Sequence, residues 1–479
     1  MKKSLKILFI SAEVAPYAKT GGLADVAGSL PQKLKEMGHE VRVALPGYQL
    51  IGGEQSYIAD FPVEIGGQQR TCIVRQLANA DCITYTLNNY HFFNRRYIYC
   101  YDDDGARFAF LCKASLELIK AIDFKPDILH LNDWHVGPAA MLLKVLYQEK
   151  DPYYKGIKTL FTIHNLEYQG HFGKETMELL GLPHRFFTPE GAEFYGMFNF
   201  LKSGVVFSDK INTVSKTYAE EILTQEHGES LEGVLLNRVK DLSGIINGIG
   251  YDTFNPMTDP HIPHHFNEKT LSNKAKNKQK LQDELGLPRK DVPLVTVVHR
   301  LVSQKGLNLV FEAFDDMMAL DTQFALLGLG DPYLEDAFLA LMKKYPDRVS
   351  VKIEFNEELS HRMYAGGDIF LMPSVFEPCG LGQMISLRYG TIPIVRETGG
   401  LKDTIVDASV HEDGNGFSFS EITSAAFFKA FKRAVDMYRN EPGSWLELVK
   451  RGMRNDFSWE HSAKEYLSLY DELLLQTDE

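Results

Sequence analysis

Leu294-Val295-Thr296-Val297-Val298 is a short run of apolar, mostly β-branched residues; a polar turn follows, His299-Arg300-Leu301-Val302-Ser303-Gln304-Lys305-Gly306, and then apolar residues at helical spacing. An uninterrupted apolar run of this length reads as a strand buried on both faces, which is characteristic of parallel sheets, and the amphipathic stretch reads as its crossover helix. The same unit recurs along the chain. Strand patterns at 6–10, 41–45, 82–87, 128–131, 159–163 and 210–214 form one series, and 294–298, 324–328, 349–353, 369–372, 392–395 and 417–419 form a second. Alternation with helical segments predicts an α/β class with two doubly wound, Rossmann-like parallel-sheet domains. Residues 255–277, rich in Pro, His, Asn and Asp, read as a surface connection between the series. The stretch 459–475 has helical spacing after the last strand pattern and is expected to cross back onto the first domain. The expected domains are therefore 1–250 joined by a C-terminal helix at 459–479, and 251–458. Ligands of open α/β sheets sit outside the carboxyl ends of the strands, so two such domains facing each other place an active site in the cleft between them.

The 479 residues carry 51 Lys+Arg against 64 Asp+Glu, a net charge of −13, and 44% are hydrophobic. An acidic chain without a basic block lacks the concentrated positive face that nucleic acids and anionic membranes require. Any phosphate site must be built locally. Five cysteines form no CxxC pair, so neither a disulfide framework nor a zinc site is expected. The apolar run 7–10 is too short for a signal h-region, and no window supplies the roughly 18 to 20 apolar residues of a membrane span. The sequence reads as a soluble, unprocessed, cytoplasmic protein.

Two glycine pairs repeat at strand-to-helix turns: Thr20-Gly21-Gly22-Leu23 after the first strand and Thr398-Gly399-Gly400-Leu401 after the strand at 392–395. Paired glycines allow close backbone approach, and free amides at a helix start attract anions; a tight turn with no ligand is the plainer alternative. Lys19 puts a cation beside the first pair, although GxxxxGK[ST] is absent. Arg300 and Lys305 flank the loop after the 294–298 strand, where a planar fork and a point charge together suit a leaving diphosphate without a metal. The plainer alternative is a pair of exposed charges. Glu377 precedes a helix pattern starting near Gly380; it is placed to accept sugar hydroxyls or stabilise positive charge at an anomeric carbon, or simply to cap that helix. Two histidine motifs, His130-Leu-Asn-Asp133-Trp-His135 and His164-Asn-Leu-Glu-Tyr168-Gln-Gly170, end strands of the first half. HExxH, GxSxG and a GxGxxG after the first strand are all missing, which disfavours zinc hydrolases, serine hydrolases and dehydrogenases.

In order and separation these motifs resemble those of bacterial glycogen synthases and plant starch synthases, the retaining glucosyltransferases of the GT-B fold. The shared stretches are Lys19-Thr-Gly-Gly-Leu-Ala-Asp25, Asp133-Trp-His135, His164-Asn165 with Tyr168-Gln-Gly170, Thr213-Val-Ser215 with Tyr218-Ala-Glu-Glu-Ile222, Asn247-Gly-Ile249, Arg300 to Lys305-Gly306, Glu377-Pro-Cys-Gly-Leu381 and Thr398-Gly-Gly-Leu401. The resemblance implies that Lys19, Gly21, Gly22, Arg300 and Lys305 hold the donor diphosphate, with Cys379, Gly380, Leu381, Thr398, Gly399 and Gly400 also at the donor. It implies catalytic roles for Glu377 and His164 with support from Asp133, and contacts of Asn247 and Phe355 with nucleotide or sugar. Gly250, Phe254 and the pair Glu354-Phe355 stand where similar proteins often have an acid, Trp and Gly-Tyr. The implied reaction is glucose transfer from ADP-glucose, or alternatively UDP-glucose, to the non-reducing end of an α-1,4-glucan such as glycogen. No metal or pyridoxal phosphate is expected. A glucan phosphorylase and a noncatalytic glucan-binding protein are the competing readings.

Overall fold

The structure is a computed structural model that describes residues 4–475. The chain forms two compact units, one reaching Ile245 and completed by the segment from Trp459, the other spanning Ile246–Ser458.

The first unit is built on a nine-stranded sheet. Its strands are β1 (Lys6–Ser11), β2 (Glu40–Pro46), β3 (Gln55–Ile65), β4 (Gln68–Leu77), β5 (Ile83–Asn88), β6 (Ile128–Asn132), β7 (Lys158–Ile163), β11 (Lys210–Thr213) and β12 (Leu242–Gly244); β8 (His171–Phe172), β9 (Glu193–Phe194) and β10 (Met197–Asn199) form a separate small sheet. The order is β12-β11-β7-β6-β1-β2-β5-β4-β3. Strands β12 to β5 of that order pair in parallel. The central strand β1 has Ile7 to Ile10 wholly buried, as expected of a parallel strand covered on both faces.

Strands β3 and β4 depart from the sequence expectation, which contained only parallel strands. They form an antiparallel hairpin that closes through Gly66 and Gly67, both at positive φ (57° and 73°), with Ile65 opposite Gln68. Two glycines in that conformation make the turn whose twist matches the flanking strands. Polar, half-exposed strands at a sheet margin carry no continuous apolar run, which hid them.

The C-terminal helix Trp459–Leu475 is fastened to this sheet by two tyrosines one turn apart. Tyr470 Oη lies 2.7 Å from His130 Nδ1, Thr162 Oγ1 lies 2.6 Å from His130 Nε2, and Asn212 Nδ2 donates to Tyr466 Oη at 3.1 Å. Burial keeps His130 neutral by pushing its pKa well down. This histidine is therefore part of the packing.

The second unit contains β13 (Leu294–Val298), β14 (Gln323–Gly328), β15 (Val349–Ile353), β16 (Ile369–Met372), β17 (Ile392–Arg396) and β18 (Phe417–Phe419), in the order β15-β14-β13-β16-β17-β18. All neighbours are parallel. The chain order reverses between β13 and β16, so the loops after these two strands diverge at a topological switch point, the usual ligand position in such sheets. In the first unit the corresponding reversal lies between β1 and β6.

The stretch 255–277 runs largely over the surface as expected, but it lies inside the second unit rather than between the two units, and it is anchored. Asp259, Ile262 and Phe266 are buried, and the helix Leu271–Glu284 already begins within it. Asp259 accepts from His361 Nδ1 at 2.7 Å and from Tyr389 Oη, while Phe254 stacks on the His361 ring with centroids 5.0 Å apart. Asp259 and Asn277 are buried on internal partners, which composition alone does not show.

Candidate active site

In the second unit the switch point holds a buried ion pair. Lys305 Nζ donates to Glu377 Oε2 at 2.6 Å, with side chains only 12% and 9% exposed. Ser374 Oγ donates to the same oxygen at 2.9 Å. Both donors gather on Oε2, which fixes the carboxylate plane from one side.

The supporting loops are stitched together. Val375 N donates to Gln304 O at 2.8 Å, and Arg396 Nε donates to Ser374 O at 2.8 Å. Gly306 has φ 63°, and a Cβ there would lie 2.0 Å from Pro373 O, so only glycine lets the Lys305 turn pass this close to the end of β16. Glu377 is not the cap of the helix Gly382–Arg388, whose N-cap residue is Leu381 without a side-chain hydrogen bond. Nor are Arg300 and Lys305 a matched pair of exposed charges: Arg300 is exposed and Lys305 is largely covered.

Gly399 and Gly400 press against the same loop. Cβ atoms on them would fall 2.0 Å from Glu377 O and 2.1 Å from Cys379 O, and Gly400 N donates to Glu377 O at 3.2 Å. The close approach these glycines permit is to the 377–379 backbone. Thr398 is the N-cap residue of the helix Gly399–Thr404, and Gly380 and Leu381 lead into Gly382–Arg388. The Cys379 thiol is pushed up to about 12 by burial and contacts Asn247, whose buried Oδ1 has no hydrogen-bond partner. His299, beside the pair, is lowered to about 4 by burial and then by the Lys305 charge, and its Nε2 lies 3.0 Å from Leu371 O. Phe355 is 82% exposed beyond the end of β15.

In the first unit the loop after β1 is organised by a residue that sequence reasoning passed over. The buried Glu13 carboxylate accepts from Thr20 N (2.5 Å), Thr20 Oγ1 (2.6 Å), Gly21 N (3.2 Å) and Tyr99 Oη (2.7 Å). The amides of Thr20 and Gly21 are thus occupied rather than free. Cβ atoms at Gly21 or Gly22 would meet nothing within 4 Å, so protein packing does not demand either glycine. Lys19 is half exposed and pairs with Asp25 at 2.7 Å.

Asp133 follows β6 with φ 66°, a left-handed conformation uncommon outside glycine. Burial, and secondarily the Glu13 charge, raise its pKa to about 8, although its Oδ1 accepts from Trp134 N at 3.0 Å. Its carboxyl is therefore mostly protonated at neutral pH. His164, after β7, is lowered to about 3 by burial. Asn132 Nδ2 donates to Ile10 O, so its Oδ1 receives the His164 Nε2 proton at 3.0 Å and the Nδ1 lone pair is left for another donor. Gly170 closes the His164 motif at φ 66°, where a Cβ would strike Trp134 at 2.3 Å. Glu13, Asn132, Ser374 and Arg396 thus complete the candidate sites. None stands in a charge pattern or glycine run, and only the third dimension brings them in.

Among the described residues no group of three His, Cys, Asp or Glu side chains is placed to hold a metal ion, and no helix is long and apolar enough to cross a membrane.

Residues 6–237 match the starch synthase catalytic domain model and residues 277–443 the model of glycosyl transferases group 1. A glycogen synthase of Moorella thermoacetica is 49% identical over 99% of this chain and 98% of its own length. The chain belongs to the glycogen synthase family. Another member, from Thermotoga petrophila, is 45% identical over 98% of this chain and 99% of its own. The catalytic domain of starch synthase IV from Arabidopsis thaliana, solved bound to ADP and acarbose, superposes with a TM-score of 0.93 at 35% identity, covering 99% of this chain and 100% of that one. The chain is accordingly a glycosyltransferase of the GT-B class. A sucrose-phosphate synthase from Thermosynechococcus elongatus, at 18% identity and a TM-score of 0.61 over 98% of both chains, shares the fold.

Proposed function

We propose that the protein transfers glucose from ADP-glucose to the non-reducing 4-hydroxyl of an α-1,4-glucan with retention of configuration. The observation that carries this reading is the Lys305–Glu377 pair, with Ser374 on the same carboxylate oxygen, at the switch point of the Ile246–Ser458 unit. That unit is the nucleotide-sugar side. The unit completed by the C-terminal helix is the acceptor side. Lys305 and Arg300 neutralise the departing diphosphate, with Lys19 as a further cation on the acceptor side. Lys305 already sits on a carboxylate, so an arriving diphosphate recruits a cation that is preorganised rather than free.

Glu377 Oε1 accepts from the sugar or faces the charge developing at its anomeric carbon. Asp133, protonated, and His164, neutral, offer hydrogen bonds to sugar hydroxyls without adding charge. A retaining glycosidase would pair a protonated carboxylic acid, as general acid, with a carboxylate nucleophile about 5 to 5.5 Å away. Glu377 is tied on Oε2 by Lys305 and Ser374, which suits it to electrostatic stabilisation rather than attack on carbon, and same-face displacement by the acceptor hydroxyl is preferred. Asn247 and Phe355 complete the donor contacts. ADP is chosen over UDP because the Arabidopsis relative was solved with ADP.

The test is incorporation of labelled glucose into glycogen from ADP-glucose and UDP-glucose in parallel, with Lys305→Ala as control. Incorporation from ADP-glucose that collapses in the variant is the expected result. Absence of incorporation from both donors would overturn the reading, and a preference for UDP-glucose would overturn the choice of base.

A further inference from the structure

Gln383 lies in the first turn of the helix Gly382–Arg388 and is wholly buried. Its Nε2 donates to Gly380 O at 3.0 Å, to Cys379 O at 3.2 Å and to Thr404 Oγ1 at 3.2 Å. Thr404 Oγ1 gives its own proton to Gly400 O at 2.6 Å, so towards the carboxamide it accepts. These neighbours fix the orientation of Gln383, because the reverse one would turn an oxygen onto two carbonyls.

The loop in front of this helix therefore has its carbonyls turned inward. Gly400 N donates to Glu377 O and Pro378 O, both at 3.2 Å, and Gln383 takes the next two, Cys379 O and Gly380 O. In a trans peptide the N–H points opposite to the C=O. The amides of Gly380 and Leu381, which share peptide planes with Cys379 O and Gly380 O, thus point away from Gln383. Among the described residues neither amide has an acceptor. Gly380 at φ 73° is followed by Leu381 in the right-handed region (φ −114°, ψ −31°), and such a succession of hands turns neighbouring amides onto one point. A Cβ on Gly380 would lie 2.7 Å from Gln383 Oε1, so the glycine and the carboxamide are fitted to each other.

We propose that Gln383 is a positioning residue of the donor site: its carboxamide turns the Gly380 and Leu381 amides towards the phosphate that adjoins the transferred sugar. The inference rests on the glucose-transfer reading above. Buried as it is, Gln383 touches no ligand and acts through the backbone. Its contact with Thr404 ties the same carboxamide to the helix Gly399–Thr404, whose glycines press on the loop, so one side chain keeps both turns in register. Amides held in place before the donor arrives need no reorganisation when charge develops on the departing phosphate.

The test uses the whole protein with Gln383→Met, which keeps the length of the side chain but has no donor, and with Thr404→Val, which removes one of the three acceptors. Calorimetric binding of ADP and of AMP reads the sugar-side phosphate by difference, with UDP and UMP as the parallel pair. In Gln383→Met the diphosphate should bind at least about tenfold more weakly, the scale of one hydrogen bond to a charged group, while the monophosphate binds as in wild type. In glucose transfer kcat should fall by at least the same factor, with the KM for glycogen unchanged. Thr404→Val should show the same selective loss at about two- to tenfold, and it supplies the answer if Gln383→Met does not fold. A residue that only stabilises the loop would weaken diphosphate and monophosphate alike or leave both untouched, and either result would overturn the proposal. Selective loss of diphosphate affinity in the variants, with no glucose transfer by wild type from either donor, would overturn the transfer reading and leave Gln383 in its role.

Discussion

Replacing Lys305 by Ala removes one half of a desolvated pair and leaves the other half in place. Breaking a fully buried pair from one side costs about 3–5 kcal/mol, because a charge is left without compensation. Here Ser374 Oγ still donates to Glu377 Oε2, and a single hydrogen bond to a charged group is worth about 1.5–3 kcal/mol. The net destabilisation should therefore be near 2 kcal/mol. For a unit the size of Ile246–Ser458 that corresponds to a fall of about 4–8 °C in its unfolding temperature.

Transfer should suffer more. Loss of a preorganised charge facing the leaving group costs about a hundred- to a thousandfold in kcat. Removing Glu377 as well, in Lys305→Ala/Glu377→Ala, abolishes the stranded charge. The double variant should melt above the single one while remaining as inactive. Scanning calorimetry and the labelled-glucose assay read the two quantities separately. A double variant that melts below Lys305→Ala would show that no stranded carboxylate is responsible. Single-variant turnover within tenfold of wild type would remove Lys305 from the reaction.

Glu377→Gln keeps the shape and the Ser374 contact but not the charge, and should lower kcat far more than it raises the donor KM; near-normal kcat would refute an electrostatic role. Asp133 binds its proton more tightly folded (about 8) than an ordinary carboxyl unfolded, so between about pH 4 and 8 the folded state holds the extra proton and stability falls as pH rises. Relative to Asp133→Asn, wild type should lose stability across that window by up to about 1.4 kcal/mol per pH unit, and parallel pH–stability curves for the two proteins would contradict this. Tyr470→Phe strips His130 Nδ1 of its partner in a dry environment and should cost the first unit about 1–3 kcal/mol, read as a lowered unfolding temperature; an unchanged transition would mean that packing alone holds the helix.

The parallel strands were legible because full burial on both faces forces continuous apolar runs such as 7–10 and 294–298. The hairpin of β3 and β4 was not, since half-exposed strands obey no such rule, although Gly66-Gly67 carried a turn signal. Within 255–277 the anchoring of Asp259 was hidden because it is held by His361 and Tyr389, and composition does not record who pairs with whom. At the candidate site Lys305 and Glu377 stood out because a charge at the carboxyl end of a strand is conspicuous. Their supporting donors were silent. Ser374 is an ordinary residue until β16 and β13 are neighbours, and Glu13 looks like a solvated acid until Thr20 and Gly21 turn their amides onto it.

The unit that ends at Ile245 is completed by the segment from Trp459, on the far side of the entire second unit in sequence. On the ribosome, the whole Ile246–Ser458 unit is therefore synthesised before the first sheet receives the hydroxyls of Tyr466 and Tyr470. Until then, His130 Nδ1 lacks the hydroxyl that engages it in the finished fold. A nascent chain that had reached only Ser458 would hold a complete Ile246–Ser458 unit while the first sheet still lacked the Tyr466 and Tyr470 hydroxyls, so the full stability of the first unit waits on a segment made after the whole of the second.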